Sequence, residues 1–82
     1  MYNVLSKAQE QRIINVVECM RSNDIQSMHF IDNDKVNYYL TGIDTLMLDV
    51  EVVKKDNFTY SDSYTIDKDN YIDYQSSSYN LK

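Results

Sequence analysis

Cys19 and His29 are the two side chains of this 82-residue chain that could serve as a nucleophile and its general base. Such chemistry needs both side chains in one cleft. Cys19 lies within an apolar helical pattern, and free cysteine is among the most buried residue types, so we expect it in the core. His29 alternates with Met28 and Phe30, which predicts a position on the polar side of a strand. Two residues also cannot supply a zinc site.

Several carboxylates have spacings that occur in metal or acid–base sites. Residues 67–70, Asp-Lys-Asp-Asn, resemble the start of a calcium loop, but Ile72 and Ser78 stand where that loop requires Gly and Glu. Asp and Asn are typical of hairpin turns for a local reason. Asp49 and Glu51 alternate along a strand and are expected to face water. A single glycine excludes a glycine-rich phosphate loop. We therefore expect no enzymatic activity, no metal and no cofactor.

One substantial helix is predicted over residues 6–22. Ser6 and Gln9 have the spacing of a capping box, in which each side chain satisfies a backbone donor at the start of the helix. Asn23 is expected to end the helix in the left-handed conformation. Apolar residues recur at spacings of three and four and predict one stripe against a core: Ile13, Val16, Val17 and Met20.

After the helix, the hydrophobic period changes from about 3.6 to about 2 residues, and strand-forming residues dominate. Five strands are predicted, at 25–31, 35–40, 46–53, 58–66 and 71–75. Turns between them are predicted at 32–34, 41–44, 54–57 and 67–70. Asn or Asp is expected to take the positive φ of the tight hairpin at 32–34, and the single glycine, Gly42, predicts the bend at 41–44. Asp62 interrupts an apolar face and predicts a bulge nearby. The polar residues after position 75 predict a frayed C-terminal tail.

These elements predict an α+β fold with one domain over residues 1–82. An N-terminal helix packs on an antiparallel sheet of four or five hairpin-connected strands, whose other face stays in solvent. A chain of this length buries only about 60–65% of the surface of its unfolded form, which leaves little room for a deep pocket.

The charge of the chain is unevenly distributed. Thirteen acidic and eight basic residues give a net charge of −5, and residues 24–82 alone carry −6. Binding to nucleic acid or to an anionic membrane requires the opposite sign, so neither is expected as a direct partner. A lone cysteine, no apolar run of about 18 residues and no signal-peptide pattern predict a soluble cytoplasmic protein.

Tyrosines and acids are interleaved in the last third of the chain and predict an acidic, aromatic contact surface. Carboxylates two residues apart on a strand lie about 6.6 Å apart, close to the rise of about 6.8 Å over two nucleotides. The alternative is that several tyrosines complete the core, as one of the adjacent Tyr38 and Tyr39 must. The candidate partner-binding residues are Asp49, Glu51, Tyr60, Asp62, Tyr64, Asp67, Asp69, Tyr71, Asp73 and Tyr74.

The chain resembles, as a class, the small acidic inhibitors that bacteriophages encode, among them anti-CRISPR proteins and mimics of nucleic acid. The resemblance consists of one short domain, Asp-rich hairpins at 32–34 and 67–70, an acidic tail bearing tyrosines, and no catalytic constellation. It includes no family motif, so it assigns no role to any residue. It implies an inhibitor in the host cytoplasm that occupies a basic, nucleic-acid-binding site on a host protein such as a CRISPR effector.

Two other functions stay open at this point. The first is a small homo-oligomeric structural or adaptor module, for example a homodimer, that uses a sheet edge or the exposed sheet face. The second is a small-molecule binder or enzyme, which the size and residue inventory disfavour because it needs a pocket.

Overall fold

The computed structural model describes residues 5–53 and 58–81. One helix, α1 (Lys7–Ser22), precedes five strands: β1 (Ser27–Ile31), β2 (Asn37–Gly42), β3 (Leu46–Val53), β4 (Phe58–Ile66) and β5 (Ile72–Leu81). The strands form one antiparallel sheet in the order β1-β2-β3-β4-β5. The predicted α+β fold is confirmed. Within the described ranges, no helix is both long and apolar enough to span a bilayer.

The helix begins and ends with hydrogen-bonded caps. The Ser6 hydroxyl accepts the Gln9 N–H at 3.1 Å, and the Gln9 side chain accepts the Ser6 N–H at 2.9 Å, which confirms the capping box. Asn23 is the C-cap, but its φ is −117°, so the expected left-handed conformation is wrong for this residue. Asp24 adopts it instead, with φ 54°, and Ile25 donates its N–H to the Met20 carbonyl, which is the 6→1 hydrogen bond found in Schellman caps.

The helix packs on the sheet through Ile13, Val17 and Met20, which are at most 1% exposed. They meet inward-facing residues of β2, β3 and β4: Tyr38, Leu40, Leu46, Leu48, Val50, Tyr64 and Ile66. Cys19 is exposed, so the expectation that it lies in the core is wrong. It sits next to Met20 on the helix but about 100° away around the axis, outside the apolar stripe.

Strand alternation follows the predicted period. Tyr38 is fully buried whereas Tyr39 is 38% exposed, which confirms that one of the two faces inward. β3 and β4 have the predicted bounds. β1 begins at Ser27 rather than at position 25 because Ile25 still belongs to the helix cap. β2 begins at Asn37 rather than at position 35 because Lys35 is part of the turn, and it ends at Gly42 rather than at position 40 because residues 41 and 42 still pair with β3. The predicted turn at 54–57 lies outside the described residues.

The first and last hairpins share one turn design. Asp32 accepts the N–H groups of Asp34 and Val36 through one carboxylate oxygen, at 2.8 and 3.0 Å. Asp67 does the same in the last hairpin. The residue with positive φ is Asn70 in the last turn but Lys35 in the first, where Asn or Asp was expected. Hydrogen bonds to the Asp side chain fix the backbone of the loop. The last loop residue therefore adopts the left-handed backbone conformation, whatever its type.

β5 is longer than predicted. It pairs with β4 from Ile72 to Leu81, so the expectation of a tail frayed beyond position 75 is wrong for the described residues. The pairing is supported by Tyr79, whose ring lies 4.8 Å from that of Tyr60. Gln75 is an extra residue, because Ser63 pairs with Ser76 while Tyr64 pairs with Tyr74. The bulge predicted near Asp62 therefore lies just beyond it and belongs to β5.

Tyr38 connects the helix to the first hairpin. Its hydroxyl donates to Asp32 at 2.5 Å and accepts from the Gln9 amide at 3.0 Å. Burial and the hydrogen bond to Asp32 raise the pKa of Tyr38 to about 12. Burial alone would raise the pKa of Asp32, but hydrogen bonds from Tyr38 and the backbone of Val36 and Asp34 outweigh it, so its pKa falls below the ordinary 3.8.

This lowered pKa predicts a pH dependence of stability. A carboxyl whose pKa is depressed by folding stabilises the fold above its unfolded pKa, and that contribution disappears as the pH falls through the folded pKa. We expect Asp32→Asn to lower the free energy of unfolding by a constant amount above about pH 5, and by progressively less below about pH 3.8. Urea denaturation of both chains from pH 2.5 to 7 measures this difference. A difference that grew on acidification would contradict it.

A side chain at position 42, at the end of β2, is expected to destabilise the fold. Its φ is +129°, and a Cβ built there would lie 2.5 Å from the Thr45 carbonyl oxygen. We expect Gly42→Ala to lower the free energy of unfolding by about 2–3 kcal/mol, because the strained backbone and this clash both oppose it. Urea denaturation measures the loss, with the neighbouring exposed variant Thr41→Ala, expected to cost less than about 1 kcal/mol, as the control. Equal losses in Gly42→Ala and Thr41→Ala would contradict the explanation by backbone strain and a clash at position 42.

Candidate protein-binding surface

The sheet presents one side to α1 and the other to solvent. We call the second side the solvent face and define it by the odd-numbered residues of β1 to β4, together with Asp73, Ser76 and Ser78 of β5, which pair with them. Its described exposed or half-exposed side chains include His29, Ile31, Asn37, Tyr39, Thr41, Met47, Asp49, Glu51, Val53, Ser61, Ser63 and Thr65.

The strands carry charge of one sign. None of the five contains Lys or Arg, and their acidic residues are Asp49, Glu51, Asp62 and Asp73. Three of these four belong to the solvent face. The solvent face therefore has three carboxylates and no Lys or Arg among its described residues.

A row of side chains runs across the centre of the solvent face from β1 to β4. The His29 and Tyr39 rings stack at 4.5 Å with an interplanar angle of 3°. His29 also shares a hydrogen bond of 3.0 Å with the Asn37 side chain. Next along the row, Asp49 accepts a hydrogen bond of 2.6 Å from the Ser63 hydroxyl. These contacts hold an aromatic pair and a carboxylate in fixed positions side by side.

Glu51 and Asp73 have partners on or beside the same face. Burial and the Glu51 carboxylate, which accepts a hydrogen bond from the Tyr39 hydroxyl, raise the pKa of Tyr39. Asp73 accepts from the Gln75 amide at 3.1 Å, and that amide also donates to the Thr65 hydroxyl. All three carboxylates of the solvent face thus have neutral hydrogen-bond partners, which position them without cancelling their charge.

Three further candidates lie together at the turn between β4 and β5. Asp67 and Asp69 are exposed, and Tyr71 is 65% exposed. The Asp67 carboxylate is occupied by the N–H groups of Asp69 and Tyr71. Because Asp73 is close to this turn along β5, the turn adjoins the solvent face at one corner.

The other four candidates face α1, so their assignment to an outward contact surface is wrong. Tyr60, Asp62 and Tyr64 are 3–5% exposed, and Tyr74 is half-buried against Tyr64. The reason is strand parity, since the even-numbered residues of β4 all point to the helix side. Asp62 is accommodated there because Ser77 donates to it at 2.5 Å and the Tyr60 hydroxyl also donates to it.

The aromatic part of the solvent face was not predicted from the sequence. The predicted aromatic contact residues all lie in the last third of the chain, whereas His29, Tyr39 and Met47 belong to β1, β2 and β3. The alternation of β2 and β3 was a sufficient signal, because it assigns Tyr39 and Met47 to the side opposite the buried Tyr38 and Leu48.

Arg21 fixes the end of the molecule where these turns meet. Its guanidinium donates to the carbonyls of Ile43, Asp44 and Asp67 at 2.8–3.2 Å and to the Asn70 side chain at 3.3 Å. One cation thus joins the helix to the β2–β3 and β4–β5 turns through neutral oxygens.

The residues that could do other chemistry are separated. Cys19 is exposed on α1, and His29 lies on the solvent face, so the sheet stands between them. Within the described part of the chain, no three His, Cys, Asp or Glu side chains are grouped to hold a metal ion. Comparison with known proteins finds no matching family model, curated protein or solved structure. Any function assigned to this chain therefore rests on its own residues.

Proposed function

We propose that this chain is a non-enzymatic protein-binding inhibitor whose solvent face occupies a basic, nucleic-acid-binding site on a host protein. The observation that carries the proposal is the charge of that face, where Asp49, Glu51 and Asp73 stand without a Lys or Arg among its described residues. A phage origin and a CRISPR effector as the target stay predictions of the class resemblance.

The arrangement of the face supports recognition of a cationic cleft. Asp49 and Glu51 are two residues apart on β3, about 6.6 Å along the strand. This is close to the axial rise of about 6.8 Å over two nucleotides of one DNA strand. Lys and Arg side chains that contact successive phosphates could contact these carboxylates in the same way, and complementary charge would accelerate the encounter.

Aromatic residues beside the carboxylates supply contact area. The stacked Tyr39 and His29 rings and the 48% exposed Met47 lie next to Asp49 in the sheet register. Tyr is enriched among the residues that dominate binding energy, because it combines a large apolar area with a polar tip. The face thus has charge for steering and aromatic area for affinity.

A displacement assay tests the proposal. Labelled oligonucleotides are bound to each of a panel of purified basic nucleic-acid-binding proteins, CRISPR effectors included, and this protein is added at 50 and 500 mM salt. We expect it to release the oligonucleotide from its target at low salt and much less at high salt, because screening weakens exposed charge contacts. Binding that is insensitive to salt, or that leaves the oligonucleotide in place, would contradict the proposal.

A further inference from the structure

The residue order of β5 is nearly the same when it is read from either end. From the N-terminal end, the strand reads Ile, Asp, Tyr; from the C-terminal end, it reads Leu, Asn, Tyr. Three serines, Ser76 to Ser78, fill the centre, and Gln75 is the one residue without a counterpart. A two-fold contact places every residue opposite its symmetry counterpart, so a strand that pairs antiparallel with its own copy needs this kind of sequence.

The bulge at Gln75 places the matching tyrosines of the two halves of β5 on the same side of the sheet. Tyr74 and Tyr79 are five residues apart and would point to opposite sides of a regular strand. Because Gln75 is an extra residue, Tyr74 pairs with Tyr64, and Tyr79 pairs with Tyr60, and both of these β4 residues face α1. The two tyrosines that would meet across a two-fold axis therefore lie on the same side of the sheet.

We propose that two copies of this chain pair through β5, antiparallel, with the two-fold axis at Ser77. In this register Ser76 stands opposite Ser78 of the second copy, Tyr74 opposite Tyr79, and Asp73 opposite Asn80, with Gln75 bulged in each strand. Aromatic and hydroxyl pairs across strands are stabilising, and like charges directly opposite each other, which would be destabilising, do not occur in it.

The position and composition of β5 leave its outer edge open to such pairing. β5 is the last strand of the sheet, and no strand of the described residues pairs with its outer side. Gln75, Ser76 and Ser78 are exposed. The strand has ten residues and contains no Lys, Arg or Pro, which are common means of protecting an edge. The opposite edge, β1, has only five residues and no comparable symmetry.

A second copy suits this edge better than a different peptide. Asp73 is the one charged residue in the strand, and it lies near one end, so the edge offers little charge to select a charged partner. Pairing would join two sheets into one of ten strands and place both solvent faces side by side. The dimer does not depend on the proposed function and would stand if that proposal failed.

The oligomeric state of the full chain tests the proposal directly. A contact made by one strand per copy is small, so we expect a dissociation constant of about 1–100 μM. Light scattering after gel filtration and sedimentation velocity, run from about 1 to 500 μM, should show a mass that rises from 9.7 kDa toward twice that value. A mass of one chain at every concentration would overturn the proposal.

Charge variants test whether β5 is the contact. In Ser76→Lys/Ser78→Lys, each new ammonium stands opposite another, and we expect the dissociation constant to rise at least 10-fold; Ser76→Glu/Ser78→Glu should behave alike. Mixing the basic and acidic variants should restore a heterodimer. Ser27→Lys/Asn33→Lys adds the same charge at exposed positions distant from β5 and should dimerise as the native chain does. Native dimerisation of the basic variant, or no heterodimer in the mixture, would overturn the proposal.

Discussion

Removing the three carboxylates of the solvent face is expected to weaken binding to a basic partner about 100-fold. The variant is Asp49→Asn/Glu51→Gln/Asp73→Asn. Each partly exposed ion pair that it abolishes is worth about 1 kcal/mol, and about 1.4 kcal/mol corresponds to a factor of ten in affinity. The amides keep the size of the side chains, and the asparagine at position 49 still offers an oxygen to the Ser63 hydroxyl. Calorimetric titration at 50 mM salt measures the loss.

The matched control removes the same number of charges elsewhere. Glu10 and Glu18 lie exposed on α1, and Asp24 lies exposed directly after the C-cap of that helix. We expect Glu10→Gln/Glu18→Gln/Asp24→Asn to bind within about threefold of the native chain, because long-range steering changes affinity less than direct contacts do. If both triple variants lost affinity equally, net charge rather than the solvent face would be responsible.

Asp62→Ala is expected to reduce stability severely. The carboxylate is 3% exposed and accepts hydrogen bonds from the hydroxyls of Ser77 and Tyr60. Its removal leaves the hydroxyls of the buried Tyr60 and the half-buried Ser77 without this acceptor, at about 1–3 kcal/mol each. A domain of this size has about 4–12 kcal/mol of stability in total, so the free energy of unfolding should fall by a large fraction. Urea denaturation followed by circular dichroism measures the change.

Asp69→Ala provides the contrast, because it removes an equally charged but exposed side chain. We expect it to change the free energy of unfolding by less than about 0.5 kcal/mol. The folded fraction of Asp62→Ala should bind a partner with native affinity, since Asp62 faces α1. Native stability together with lost affinity in Asp62→Ala would indicate that Asp62 contacts the partner, and would contradict its burial against α1.

The fold was predictable because most of its signals are local. The Ser6–Gln9 capping box, the apolar stripe of α1 and the alternation of β3 each need only a few neighbouring residues to be recognised. Errors occurred where the outcome depends on residues distant in sequence. β5 is held by β4 along its length, so its polar residues do not fray, and the position of Cys19 depends on the precise edge of the apolar stripe.

The candidate surface was less predictable for the same reason. Composition located acids and tyrosines but did not decide to which side of the sheet each belongs. Asp62 shows why, since the sequence predicts an exposed carboxylate at this position, whereas hydroxyls from β4 and β5 make its burial possible. Ser77, which donates to it, is 15 residues away along the chain. Shifting the pairing of a strand by one residue moves each of its side chains to the other side of the sheet. The pairing register therefore decides which residues are exposed.

Whether the solvent face is the binding surface can be tested by mapping the residues that the partner covers. Backbone amide resonances are compared in two-dimensional NMR spectra with and without a target found by the displacement assay. We expect shifts and line broadening to concentrate on β2 and β3 around Tyr39, Met47, Asp49 and Glu51, and to extend to Asp73. Perturbations concentrated on α1, with the solvent face unchanged, would contradict it.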